Sequence, residues 1–216
     1  CLPSIHHRAE KDQTLVHVSG FAQRISLNRI TVICNGCGLC SRICPVLAIN
    51  VAKIGEKKLA VVEADSCHAC TICVTRCPQR AVTMAERRVP LETGIDVAYV
   101  SKDIEDICHA AHMYPDQIIC YCHRVQAKEV VKAILDGAKT PEAIASKTGA
   151  RTGCGVLCIT GVIRLLAASG IELEKAPGYQ WYGVKATIWD ISKEIMQKYP
   201  QYYMAEDLEA INDIFP

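Results

Sequence analysis

Twelve of the chain's fourteen cysteines fall into three sets of four. Cys34, Cys37, Cys40 and Cys44 are spaced C-x2-C-x2-C-x3-C and followed by Pro45. Cys67, Cys70, Cys73 and Cys77, followed by Pro78, repeat the pattern 33 residues later (34 to 67). The third set is looser: Cys120 and Cys122, then 31 residues (123 to 153), then Cys154 and Cys158. Thiolates are soft ligands, and two-residue loops let three of them converge on one face of an iron–sulfur cubane. Three metal–sulfur centres on one small chain point to a conductor of electrons.

Other uses of thiols fit less well. Structural zinc takes four ligands per ion from C-x2-C pairs separated by longer gaps, which explains neither the third C-x2 step nor the proline. A disulfide scaffold suits a short secreted chain, whereas 216 residues can bury a core without such staples.

The first two motifs resemble those of a two-cluster bacterial ferredoxin over residues 30–88. Their match extends beyond cysteine, since Pro45-Val46-Leu47-Ala48-Ile49 aligns with Pro78-Gln79-Arg80-Ala81-Val82 as an internal repeat. In that family the cysteine before the proline ligates the other cluster. The resemblance therefore implies one [4Fe–4S] cluster on Cys34, Cys37, Cys40 and Cys77 and a second on Cys67, Cys70, Cys73 and Cys44. The third set, with Ile118-Ile119 ahead of it and Thr152-Gly153 inside it, resembles the [2Fe–2S] domain of bacterioferritin-associated ferredoxin. That likeness implies a [2Fe–2S] cluster on Cys120, Cys122, Cys154 and Cys158, with two short helices between the pairs. The distal pair departs from the commonest family form, being C-x3-C rather than C-x2-C.

The elements that must position these thiols can be read locally. Val130, Val131, Ile134 and Leu135 lie at helical spacing, with Gly137 as the stop. Thr140 then caps a second helix whose first residue is Pro141. Cys158 opens a third helix over 159–169, whose N-terminal N–H groups favour thiolate. In the first half, short helices are expected from Cys40 and from Cys73. Strands are expected over 14–18 and 24–33, and a hairpin over 49–63 turning at Gly55. Residues 89–99 read as linker, and Ser101 caps a helix through Met113.

The expected fold is α+β. A ferredoxin-like domain with a pseudo-two-fold repeat (30–90) follows an N-terminal β extension (1–29). A one-helix linker (91–117), an all-α helix-turn-helix [2Fe–2S] domain (118–170) and an aromatic-rich docking extension (171–216) complete it. That extension holds Tyr179, Trp181, Tyr182, Trp189, Tyr199, Tyr202, Tyr203 and Phe215, eight of the chain's twelve aromatics (Phe 2, Trp 2, Tyr 8). A helix over 189–198 is expected, with Ile188, Ile191, Ile195 and Met196 as its apolar stripe. Aromatics favour interfaces, so a partner surface is expected here.

Several residues stand outside the cluster sets. Cys108 and His112, at i and i+4 with His109 between them, could share a metal but read better as a buried thiol beside a surface histidine. His123 reads as a hydrogen-bonding residue, and His68 as a potential modulator of the second cubane. Cys1 is left without a cluster.

A net charge of +1 gives no basic field for nucleic acid. No apolar run is long enough for a membrane span, and the first residues lack a signal-peptide pattern. The opening Cys1-Leu2-Pro3 in place of Met points to residues lost or removed. A reducing cytoplasm, that of an anaerobe, suits so many cluster thiolates. No dinucleotide fingerprint, phosphate loop or nucleophile elbow is present, so no catalytic residue is assigned. The expected function is a non-catalytic electron-transfer subunit of a multi-subunit oxidoreductase whose partner holds flavin or metal. The alternative is a metal-handling or redox-sensing iron–sulfur protein without such a partner.

Overall fold

Both cysteine–proline motifs fold alike in the computed structural model, which describes residues 23–30, 33–173 and 187–214. Each builds one short helix, α1 (Leu39–Ile43) and α2 (Ile72–Arg76). Each helix is entered through a residue with positive φ, Gly38 at 74° and Thr71 at 61°. Each is left in extended conformation, at Cys44 and Cys77 respectively. The proline that follows cannot donate a helical hydrogen bond, and it disfavours helix at the cysteine before it. The helices begin at or just before the third cysteine of each motif, so the expected positions hold.

Two of the three two-stranded sheets among the described residues frame these loops. β1 (Gln23–Ile30) pairs antiparallel with β4 (Val82–Leu91), which leaves the second motif. β2 (Ile49–Ile54) and β3 (Lys57–Val62) form the expected hairpin, turning at Gly55 with φ of 62°. The strand expected over 14–18 lies outside the described residues. β4 runs to Leu91, so residues 89–91 are strand rather than linker. A small core of Cys44, Ala48, Ile49, Ala60, Cys67, Cys73 and Val82 sits among these elements.

The second half is built on helices. α3 (Lys102–Ala110) is capped by Ser101, whose hydroxyl accepts from the Ile104 N–H at 3.4 Å. It stops three residues before Met113, where His112 takes a positive φ of 52° and the Met113 N–H returns to the Cys108 carbonyl. α4 (Ala127–Leu135), α5 (Pro141–Thr148) and α6 (Ile159–Ala168) then stack about Val130, Val131, Ile144, Val162, Leu165 and Leu166. Thr140 caps α5, accepting from the Ala143 N–H at 3.1 Å. At the start of α4 the Glu129 carboxylate accepts from the Gln126 N–H at 2.8 Å, an N-terminal lock absent from the sequence expectations. This half is not purely helical. β5 (Ile118–Cys120) and β6 (Val125–Gln126) form a small ladder across the Cys120–Cys122 turn. Such a ladder satisfies backbone groups that a tight two-cysteine turn would otherwise leave unpaired.

The last segment departs further from expectation. Instead of one helix over 189–198, a 3-10 turn (Ile188–Asp190) precedes α7 (Lys193–Lys198), because Ser192 caps the latter through the Ile195 N–H. A longer helix, α8 (Met204–Ile214), follows. No helix of the described residues is long and apolar enough to cross a membrane.

Candidate metal centres

The fold redistributes the eight cysteines of the repeat. One cavity is lined by Cys34, Cys37, Cys40 and Cys77, closed by Pro78, Ala60 and Ala81. Cys44 leaves its own motif and lies near Cys67, Cys70 and Cys73, close enough for thiolate charges to repel one another. Burial opposes ionisation there. It pushes the Cys70 thiol up to about 11 and the Cys73 thiol up to about 12, with Cys44 also raised, and it raises Cys40 in the other cavity. Four thiolates so close together, three of them buried and Cys70 half-buried, are unfavourable unless cationic iron compensates them.

Backbone N–H groups point at the sulfurs. The Ala48 N–H donates to Cys44 Sγ at 3.2 Å, and the Ala81 N–H donates to Cys77 Sγ at 3.3 Å. The Ala69 N–H donates to Cys67 Sγ at 3.4 Å. The residue before each helix-exit N–H, Leu47 or Arg80, has positive φ (55° and 49°), which turns the following amide toward the sulfur. Donors aimed at sulfur stabilise thiolate and set cluster potential. Gly36 is needed for close packing, since a Cβ there would sit 2.3 Å from the Lys58 carbonyl oxygen.

The third set also converges. The Cys158 thiol bonds Cys120, holding the latter far below the usual thiol range, at about 5, while Cys158 is pushed up. The Cys154 N–H donates to Cys122 Sγ at 3.4 Å. The Val156 and Leu157 amides lower Cys154 in turn. Gly153 admits this approach, because a Cβ there would lie 2.4 Å from Cys122 Cβ. Cys120 and Cys158 are buried, whereas Cys122 and Cys154 are exposed. None of the thirteen described cysteines forms a disulfide. The donor chemistry, the amides aimed at sulfur and the four-cysteine cavity all fit iron–sulfur clusters.

Some supporting residues carried no signal in the sequence. Arg151 and Glu142 form a buried ion pair at 2.8 Å, with side chains 8% and 7% exposed. The Arg151 backbone bonds both Cys120 and Cys158, so the pair anchors the loop that carries the distal cysteines. Arg87 donates to the Ala64 and Cys67 carbonyls, fastening the second motif. Such partners depend on tertiary proximity, which residue spacing does not encode.

The remaining candidates separate. His68 is 2% exposed, and its buried Nδ1 has no hydrogen-bond partner. Burial and the Arg87 charge lower it to about 4. His123 Nε2 lies 3.0 Å from Thr152 Oγ1. Cys108 is fully buried and its thiol is pushed up to about 11 by burial alone. His112 instead stacks on Trp189, ring centroids 4.0 Å apart, beneath Arg164. Among the described residues no His, Cys, Asp and Glu group is arranged to hold a single metal ion. Cys1 lies outside the described residues.

The aromatic extension divides in the same way. Trp189 packs on the chain's own helical half through His112 and Arg164, while its Nε1–H donates to Asn212 Oδ1 of α8 at 3.1 Å. Tyr199, Tyr202 and Tyr203 are 39%, 65% and 66% exposed. Tyr179, Trp181, Tyr182 and Phe215 lie outside the described residues.

Comparison with known families agrees with the cysteine pattern. A family model for a 4Fe-4S dicluster domain matches residues 33–93. A model for a BFD-like [2Fe-2S] binding domain matches residues 118–168. No curated protein matches the chain.

Proposed function

We propose that this chain, a 4Fe-4S dicluster domain joined to a BFD-like [2Fe-2S] binding domain, is the electron-transfer subunit of a larger oxidoreductase. Cys34, Cys37, Cys40 and Cys77 hold one [4Fe–4S] cluster. Cys67, Cys70, Cys73 and Cys44 hold the other, and Cys120, Cys122, Cys154 and Cys158 hold a [2Fe–2S] cluster. When bound, these groups supply one-electron carriage. The protein's own contribution is to keep sulfur ionised through aimed N–H groups, to exclude water around Cys44, Cys67 and Cys73, and to leave an exposed edge at Cys122 and Cys154.

The observation that carries the proposal is the convergence of all three cysteine sets on one chain that also presents outward-facing aromatics. Ile195, Tyr199, Tyr202, Tyr203 and Ile214 are exposed on the segment spanning α7 and α8, an apolar and aromatic surface of the kind that protein partners cover. The partner is expected to be a flavin- or metal-containing subunit in the cytoplasm, with no flavin on this chain. The exposed Cys122 and Cys154 also suit a second role, handing iron or electrons to a transient acceptor in metal traffic. Isolation from the native source decides between the two. A flavoprotein recovered in fixed stoichiometry supports the subunit, and its release on truncation before Pro177, with all clusters retained, locates the docking segment. A monomer that carries its clusters alone refutes the subunit role.

A further inference from the structure

The two domains meet at the ligand loops themselves. Ile72 lies between Cys70 and Cys73, Gly155 lies beside Cys154, and a Cβ at Gly155 would stand 3.1 Å from Ile72 Cδ1. Gly155 has φ of 80°, a conformation that glycine adopts without strain. His68, next to Cys67, is buried against the Ser146 backbone and close enough to His123, next to Cys122, for their charges to interact. Two contacts pin this seam. The Gly94 N–H donates to the Lys147 carbonyl at 3.0 Å, and Thr93 Oγ1 would lie 3.3 Å from a Cβ at Gly149. The other four-cysteine cavity has a different setting. All of its lining residues lie between Cys34 and Val82, and the nearby Gly36 and Gly38 pack on Lys58 and Val51 of the β2–β3 hairpin.

We propose that Ile72, His68, Gly155 and His123 form the electron bridge between the two domains, joining the [2Fe–2S] site to the Cys67, Cys70, Cys73 and Cys44 site. The Cys34, Cys37, Cys40 and Cys77 site is then the far terminus of a linear path. The proposal rests on the ligand sets given above and adds their order. Tunnelling falls exponentially with the gap crossed, so van der Waals contact between two ligand loops outweighs any longer route. The step moves one electron from a reduced [2Fe–2S] centre to an oxidised [4Fe–4S] centre, with no bond made and no proton moved.

The test uses the full chain, reduced anaerobically with dithionite, with iron and sulfide counted on every sample. Spin relaxation of the [2Fe–2S] EPR signal reports its nearest paramagnetic neighbour. Cys70→Ser is expected to abolish the relaxation enhancement and Cys37→Ser to preserve it. The reverse pattern, or no enhancement in a wild-type chain showing all three signals, overturns the order while leaving the ligand sets standing. A wild-type chain without a [2Fe–2S] signal overturns both. Ile72→Ala guards against a ligand variant that fails to fold. It should keep all three signals yet slow electron equilibration between domains after pulse reduction, with Ile72→Leu restoring the rate. An unchanged rate in Ile72→Ala overturns the bridge.

Discussion

Replacing Arg151 by Ala should dismantle the [2Fe–2S] site without touching a ligand. The guanidinium lies 2.8 Å from Glu142 with both side chains under a tenth exposed, so its removal strands a carboxylate in the core. Breaking one half of such a pair costs about 3–5 kcal/mol. A domain of this kind has a total stability of about 5–15 kcal/mol, so the loss consumes a large share of it. Arg151 also has φ of 70°, a conformation costing a non-glycine residue roughly 1–2 kcal/mol. Arg151→Gly removes that strain together with the ion pair, and should therefore be less damaging than Arg151→Ala by about that amount. The paired replacement Arg151→Met with Glu142→Leu removes both charges and should recover most of the loss, since apolar substitutes for buried pairs are often neutral. The assay is anaerobic urea denaturation followed through the [2Fe–2S] visible bands, with the [4Fe–4S] EPR signals as an internal control. A cost below about 1 kcal/mol for Arg151→Ala, the range of an exposed pair, would refute the claim that this ion pair holds the distal loop.

Three further outcomes are expected. Cys44→Ser should damage the cluster held by Cys67, Cys70 and Cys73 and spare the other cubane; EPR of the reduced protein showing the opposite would overturn the crossed ligand sets. Gly153→Ala forces a Cβ to within 2.4 Å of Cys122 Cβ, an overpacking of about 1–3 kcal/mol, and should lower [2Fe–2S] occupancy measured as sulfide per chain. His112 is held below its ordinary 6.5 by burial and by Arg164, with His109 opposing its charge too and Asp190 favouring it. The unfolded state therefore binds more protons in acid, and the His112–Trp189 contact should weaken as pH falls through about 6.5 and below. Trp189 emission in a Trp181→Phe background should shift toward that of exposed indole on acidification, and a pH-independent spectrum would contradict this.

The cysteine spacing by itself marked the chain as one with iron–sulfur domains, as the two matching family models agree, because ligand loops of two residues are local objects with few ways to fold around a cluster. The short helices after Gly38 and Thr71, the Thr140–Pro141 cap and the Gly55 turn were equally legible, since each depends on residues a few positions apart. The α7 boundary was not, because the apolar stripe from Ile188 to Met196 concealed the competing cap at Ser192. The β5–β6 ladder escaped notice because it is too short to show alternation. The placing of Cys44 with Cys67, Cys70 and Cys73 was implied by the family resemblance, but only the tertiary structure brought Glu142 against Arg151. It alone seated Trp189 on His112 and set Ile72 against Gly155. Each of those contacts depends on how elements distant in sequence pack together, and packing is decided by the shape and burial of the whole domain rather than by any local pattern.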